Sequence, residues 1–127
     1  MTKTYFRDKE RNYEPIIKAT IINPINKKSA EIEMVIDTGF QGGVLIPLKT
    51  YAELGLYLLE EPKIMGITAT GTRIELRRAK AILEINGHTI DCTIYTTIGV
   101  TRSLLGREVL KTLGLCYKPP EKLLVNI

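Results

Sequence analysis

The sequence predicts a mostly β fold in a single domain, with one or two short helices. Three observations carry that reading. Apolar runs rich in β-branched residues recur along the chain, separated by Gly, Pro and Asn. Asn86-Gly87 lies between two such runs and is among the strongest short hairpin signals. Helical periodicity is confined to two short stretches, at 47–54 and 107–113. A length of 127 residues suits one domain with a sizeable core.

The elements follow in order. Residues 1–13 hold Lys3, Arg7, Asp8, Lys9, Glu10 and Arg11 and read as a flexible N-terminal arm, leaving 14–127 as the folded domain. Ile16-Ile17-Lys18-Ala19-Thr20-Ile21-Ile22 reads as a strand and residues 23–29, with Pro24 and two Asn, as a turn. Glu31-Ile32-Glu33-Met34-Val35-Ile36 reads as a second strand paired back on the first. Asp37-Thr38-Gly39 comes directly after it, then Gly42-Gly43 and the apolar run Val44-Leu45-Ile46. Pro47 opens a short helix through Leu54, and Gly55 stops it.

Beyond Pro62, two strand-like arms at 63–67 and 72–76 flank the small-residue tip Thr68-Ala69-Thr70-Gly71, a hairpin. Residues 81–85 and 89–95 form two more strands about Asn86-Gly87. Leu104-Leu105-Gly106 leads into a helix over 107–113, ended by Gly114, with Val109, Leu110 and Leu113 on one face. Residues 123–127 can form a last strand. A helix ending Leu54-Gly55-Leu56 is echoed by one ending Leu113-Gly114-Leu115, which is compatible with two similar halves.

Composition excludes several functions. Hydrophobic residues at 44% and charged residues at 25% describe an ordinary globular chain, neither disordered nor fibrous. The net charge of +4 is scattered, with Lys27-Lys28 and Arg77-Arg78 the only adjacent basic pairs, so no nucleic-acid partner is expected. Cys92 and Cys116 are too few for a disulfide scaffold and lack metal-site spacing. No apolar run approaches a membrane span and the start lacks the apolar segment of a signal peptide, so a cytoplasmic protein is expected.

Of the three aspartates, Asp8, Asp37 and Asp91, only Asp37 ends an apolar run, so its carboxylate starts at the edge of a buried strand. Thr38 can donate a hydroxyl hydrogen bond, and Gly39 lets the backbone turn sharply. Alone, the triplet is equally an ordinary Asx-type turn.

Val35-Ile36-Asp37-Thr38-Gly39 resembles the active-site signature of the retropepsin-like (clan AA) aspartic proteases. Those enzymes carry a flap hairpin in mid-chain and a second motif near the end, which reads here Leu104-Leu105-Gly106-Arg107-Glu108-Val109-Leu110. Ile85-Asn86-Gly87-His88 resembles the hairpin turn after the flap of viral members. Phe40, with Leu45-Ile46-Pro47 beyond it, looks most like the small bacterial and archaeal ones. The resemblance covers residues 16–115.

The resemblance implies a closed β-barrel acting as a homodimer, because one Asp-Thr-Gly per chain supplies half of a carboxylate pair. Asp37 would be catalytic, with Thr38 and Gly39 in support, and Thr38 would bond across the dimer axis. Ile67, Thr68, Ala69, Thr70 and Gly71 would form the flap over a peptide or protein substrate. Phe40, Gly42 and Gly43 would line the cleft wall. Leu105, Gly106 and Arg107 would be structural, and no cofactor or metal is implied. Viral members usually have a small residue at the position of Phe40 and often an acidic one at that of Gln41. Arg107 is thereby left to pair elsewhere, with Glu108 or a backbone carbonyl. Residues 123–127 are candidates for terminal strands interleaved between protomers.

Other constellations are thin. His88, the only histidine, sits beside a hairpin turn and gives any Ser-His or Cys-His hydrolase a poor start. Glu60-Glu61, before Pro62, reads as a solvated turn, and Gly42-Gly43 is too short for a phosphate loop. The six tyrosines are dispersed and read as half-buried packing. Two function classes stay open: an aspartic endopeptidase, and a non-catalytic dimeric peptide-binding or interaction module on the same fold.

Overall fold

The computed structural model describes residues 4–125. Its strands are β1 (Thr4–Arg7), β2 (Glu14–Ile22), β3 (Ser29–Ile36), β4 (Val44–Leu45), β5 (Glu60–Ile67), β6 (Arg73–Ile85), β7 (His88–Thr96), β8 (Leu104–Leu105), β9 (Leu115–Lys118) and β10 (Lys122–Val125). Helix α1 (Leu48–Glu53) and a 3-10 turn (Leu56–Leu59) follow β4, and helix α2 (Arg107–Leu113) follows β8.

Eight strands lie in the order β1-β2-β3-β8-β4-β7-β6-β5, and a further pairing of β2 with β6 closes the sheet into a barrel. Closure rests on three residue pairs, Thr20↔Glu84, Ile21↔Leu83 and Ile22↔Ile82. The short strands β8 and β4 are the inner staves: β3 runs parallel to β8, and β4 parallel to β7. Each short strand leads into a helix, so the echo of Leu54-Gly55-Leu56 in Leu113-Gly114-Leu115 marks two strand–helix units in comparable places.

Alternation along the strands explains the core. On β2, Ile17, Ala19 and Ile21 point inward, and on β6 so do Ala79, Ala81, Leu83 and Ile85. Met34, Val44, Ile94 and Leu105 join them with no exposed surface. Each fully buried Ile or Leu contributes about 1.5–3 kcal/mol relative to exposure. Tyr51 of α1 and Val109, Leu110 and Leu113 of α2 belong to the same core.

The structure differs from the sequence reading in three places. Thr4–Arg7 is a strand antiparallel to β2, where a flexible arm over residues 1–13 was expected. Its anchors are distant in sequence: Thr4 Oγ1 donates to the Leu123 carbonyl at 2.8 Å. Phe6 packs edge-on against Tyr13 and Tyr117. Second, the arms expected at 72–76 and 81–85 are one continuous strand, β6. Arg77 and Arg78 send their side chains to Glu60 and the Pro62 carbonyl while their backbone stays in the ladder. Third, the last strand, expected over 123–127, is β10, paired with the unforeseen β9 in a separate two-stranded sheet; residues 126 and 127 lie outside the described residues.

Glu14 joins β1 to the segment before β8. It accepts from Arg7 at 2.8 Å and also pairs with Arg102. Arg102 first, and Arg7 with it, hold the Glu14 carboxyl below its ordinary value of 4.5. Its folded-state value therefore lies below its unfolded one. The stabilisation is present above 4.5 and is lost as the pH falls through the folded value. Glu14→Gln is expected to be less stable by about 1 kcal/mol near pH 7 in thermal unfolding, with the difference closing as the pH falls below 4.5 and through the folded value.

Candidate active site

Strand β3 delivers Asp37. Met34 and Ile36 are buried, and the chain leaves the barrel at Ile36 beside β8. The Val35 N–H donates to the Ser103 carbonyl at 2.8 Å and the Asp37 N–H to the Leu105 carbonyl at 2.9 Å. Asp37 is thus fixed at its backbone by the second motif, with its side chain half-buried. Its Oδ1 accepts the Gly39 N–H at 2.8 Å, and the Phe40 N–H donates to the Asp37 carbonyl at 3.1 Å. That is the Asx-type turn, and it leaves Oδ2 without a hydrogen-bond partner among the described residues. Thr38 and Gly39 are exposed at the tip.

Three further backbone hydrogen bonds stitch the loop to the second motif. Gly106 N–H donates to the Gly43 carbonyl at 2.8 Å, Arg107 N–H to Phe40 at 2.8 Å, and Glu108 N–H to Gly42 at 3.2 Å. The approach is so close that a Cβ on Gly106 would lie 2.7 Å from the Phe40 carbonyl oxygen and 2.6 Å from its ring. A Cβ on Gly43 would lie 2.5 Å from the Thr93 carbonyl oxygen.

Gly42 and Gly43 are buried spacers between the Asp37 loop, β7 and α2. They explain the bulky Phe40. Its half-buried ring occupies the room left by Gly42 and Gly106 and meets Tyr95 edge-on at 5.8 Å. Leu105 is fully buried in the core.

Arg107 contributes its backbone N–H, while its exposed side chain makes no hydrogen bond or ion pair among the described residues. The pairing with Glu108 or a carbonyl does not form among the described residues; Glu108 Oε1 instead accepts the Thr93 N–H at 3.0 Å. Glu108 thereby braces α2 against β7. Sequence reasoning offered Glu108 only as a partner for Arg107, because nothing near it in the chain announces Thr93, fifteen residues earlier.

The flap is present. Strands β5 and β6 pair up to Ile67↔Arg73. At the tip Thr68 N–H donates to the Thr72 carbonyl at 2.9 Å, and Thr68 Oγ1 accepts from Thr72 N–H at 3.1 Å and bonds Thr70 Oγ1 at 3.0 Å. Ala69, Thr70 and Gly71 are exposed, and Ile67 is 72% exposed for so large an apolar side chain.

Cys92 is a poor nucleophile. Burial first, then Glu108 and Asp91, push the Cys92 thiol up to about 12, so it stays protonated. His88 is exposed at the start of β7, four residues and about 13 Å of strand from Cys92. Among the described residues, no three His, Cys, Asp or Glu side chains converge as metal ligands, and no helix is long and apolar enough to cross a membrane.

No protein-family model matches the chain, and no curated protein matches it in sequence. Solved structures do match in fold. A retropepsin-like aspartic protease from Rickettsia conorii is 18% identical, with a TM-score of 0.67 over 93% of this chain and 85% of that one. The EIAV protease complexed with the inhibitor HBY-793 is 19% identical, with a TM-score of 0.62 over 85% of this chain and 95% of that one. The closed barrel and its projecting hairpin are therefore those of the retropepsin fold.

Proposed function

We propose that the chain is an aspartic endopeptidase that works as a homodimer, hydrolysing peptide bonds with a water held between Asp37 of two protomers. The observation that carries this reading is the setting of Asp37: a carboxylate with one oxygen fixed and one open, on a loop stitched to a second motif within a retropepsin fold.

The chemistry follows from charge. Two carboxyl groups about 3 Å apart cannot both ionise readily, so they share a proton. The ionised group takes a proton from the water, and the resulting hydroxide adds to the peptide carbonyl carbon. The protonated group donates a hydrogen bond to the carbonyl oxygen as it gains charge. Collapse of the tetrahedral intermediate breaks the C–N bond, and a proton from the pair goes to the leaving amine. The apparent pKa values belong to the pair. Exposed Thr38 would bond across the axis, and residues 67–71 would close over an extended peptide paired as a strand.

Cleavage of a mixed peptide library, followed while the protein is diluted, tests this reading. Specific activity is expected to rise with protein concentration to a plateau as protomers pair. A folded dimer that cuts nothing, or activity per chain that is the same for monomer and dimer, would contradict it.

A further inference from the structure

The flap hairpin leaves the barrel at an irregularity in its ladder. Strand β5 pairs with β6 at Glu60↔Ala79 and Glu61↔Arg78, loses register, and resumes at Ile64↔Leu76. There two residues of β5, Pro62 and Lys63, face the single residue Arg77 of β6, so the extra residue lies on β5. A bulge of this kind bends one strand locally and marks where the ladder yields.

On the barrel side of the bulge, one carboxylate joins three elements. Glu60 Oε2 accepts from the Tyr51 hydroxyl at 2.9 Å and from Arg77 Nε at 2.7 Å, and Oε1 accepts from Arg77 Nη2 at 3.2 Å. The Arg77 guanidinium also lies 5.8 Å from the Tyr51 ring centroid. Glu60 belongs to β5, Arg77 to β6 and the fully buried Tyr51 to α1. Arg78 Nε pins the bulge itself through the Pro62 carbonyl at 2.8 Å. Beyond the bulge the strands are bridged by the exposed pair Lys63–Glu75 at 3.5 Å, a weak link in water.

The carboxylate at the centre stays ionised. Burial pushes the Glu60 carboxyl up, but the hydrogen bonds from Arg77 and Tyr51 outweigh it and hold it below its ordinary value. Glu60 and Arg77 are 22% and 35% exposed, so water screens this pair less than it does the pair further out. The helix that carries Tyr51 follows β4 and Gly43, the glycine stitched to Gly106. A short path of ordered backbone thus runs from the Asp37 loop to the flap base.

We propose that Tyr51, Glu60 and Arg77 are positioning residues that set the flap against the Asp37 loop, with residues 64–76 swinging about Pro62 and Lys63. The three side chains fix the barrel end of the hairpin to α1, while the tip beyond the bulge is free to move. The consequence for cleavage rests on the protease reading above; the consequence for flap motion does not.

Hydrogen exchange by mass spectrometry on the full chain, comparing wild type with Glu60→Gln and Tyr51→Phe, separates the two. Peptides spanning 60–76 in Glu60→Gln are expected to exchange roughly tenfold faster, while peptides from β2, β3 and β7 keep wild-type rates. Tyr51→Phe, which removes one hydroxyl and keeps the ring, is expected to accelerate the same peptides less, and it carries the test if Glu60→Gln does not fold. For a cleaved peptide, KM is expected to rise several-fold in Glu60→Gln, with kcat within a factor of about two. Unchanged exchange over 60–76, or equal acceleration in β2, β3 and β7, would overturn the proposal. A wild type that cuts no peptide would count against the protease reading alone, and exchange would still decide this one.

Discussion

Asp37→Asn is expected to fold like the wild type and to lose peptide cleavage, with kcat/KM down by ~10⁴-fold or more. Asparagine keeps the shape of the side chain and an oxygen that accepts the Gly39 N–H, so the turn that shapes the loop survives. What disappears is the ionisable group. An amide cannot take a proton from water at any working pH, and a pair of amides cannot share one. Thermal unfolding should place the variant within about 1 kcal/mol of wild type, which separates lost chemistry from lost structure. A purified variant that cuts peptides as the wild type does would remove Asp37 from the mechanism.

The second large effect is on stability. Gly106→Ala is expected to destabilise the chain by about 3 kcal/mol or more in chemical denaturation, with activity lost in parallel. The new methyl would press on the carbonyl oxygens of Gly42 and Phe40 and on the Phe40 ring. Two of those contacts are backbone, so relief means pulling α2 away from the Asp37 loop and breaking the bonds from Gly106, Arg107 and Glu108. Gly71→Ala at the flap tip is the control. No atom lies within 4 Å of the new Cβ there, and only a left-handed backbone at φ +87° opposes it. The cost should be about 1 kcal/mol. Equal effects at the two positions would mean that the loop and the second motif are not held together as tightly as their hydrogen bonds indicate.

The parts of this fold that were legible in the sequence are the local ones. The Asn86-Gly87 turn, the helix over 107–113 and the Asp37 loop after a buried strand each follow from a few neighbouring residues. The parts that were not legible depend on partners far along the chain. Nothing near Thr20 announces its pairing with Glu84, which closes the barrel. Nothing near Thr4 announces the Leu123 carbonyl that anchors β1. The same limit applied at the site. Glu60-Glu61 before Pro62 reads as a solvated turn, yet Glu60 faces Tyr51 and Arg77 because β5 begins earlier than its apolar pattern shows. Tyr51 reads as one of several half-buried aromatics, yet it is fully buried. Nothing local to Gly42 and Gly43 announces that they space the Asp37 loop from β7 and α2, since those neighbours lie far along the chain.

The central claim, that one active site draws Asp37 from two copies, is tested most directly by mixing. Wild type and Asp37→Asn are combined at constant total concentration, equilibrated so that protomers exchange, and assayed on a peptide that the wild type cuts. If the site needs both aspartates, activity falls as the square of the wild-type fraction, so an equal mixture keeps about a quarter of it. A linear fall, with about half remaining in the equal mixture, would show each chain acting alone and would contradict the shared site.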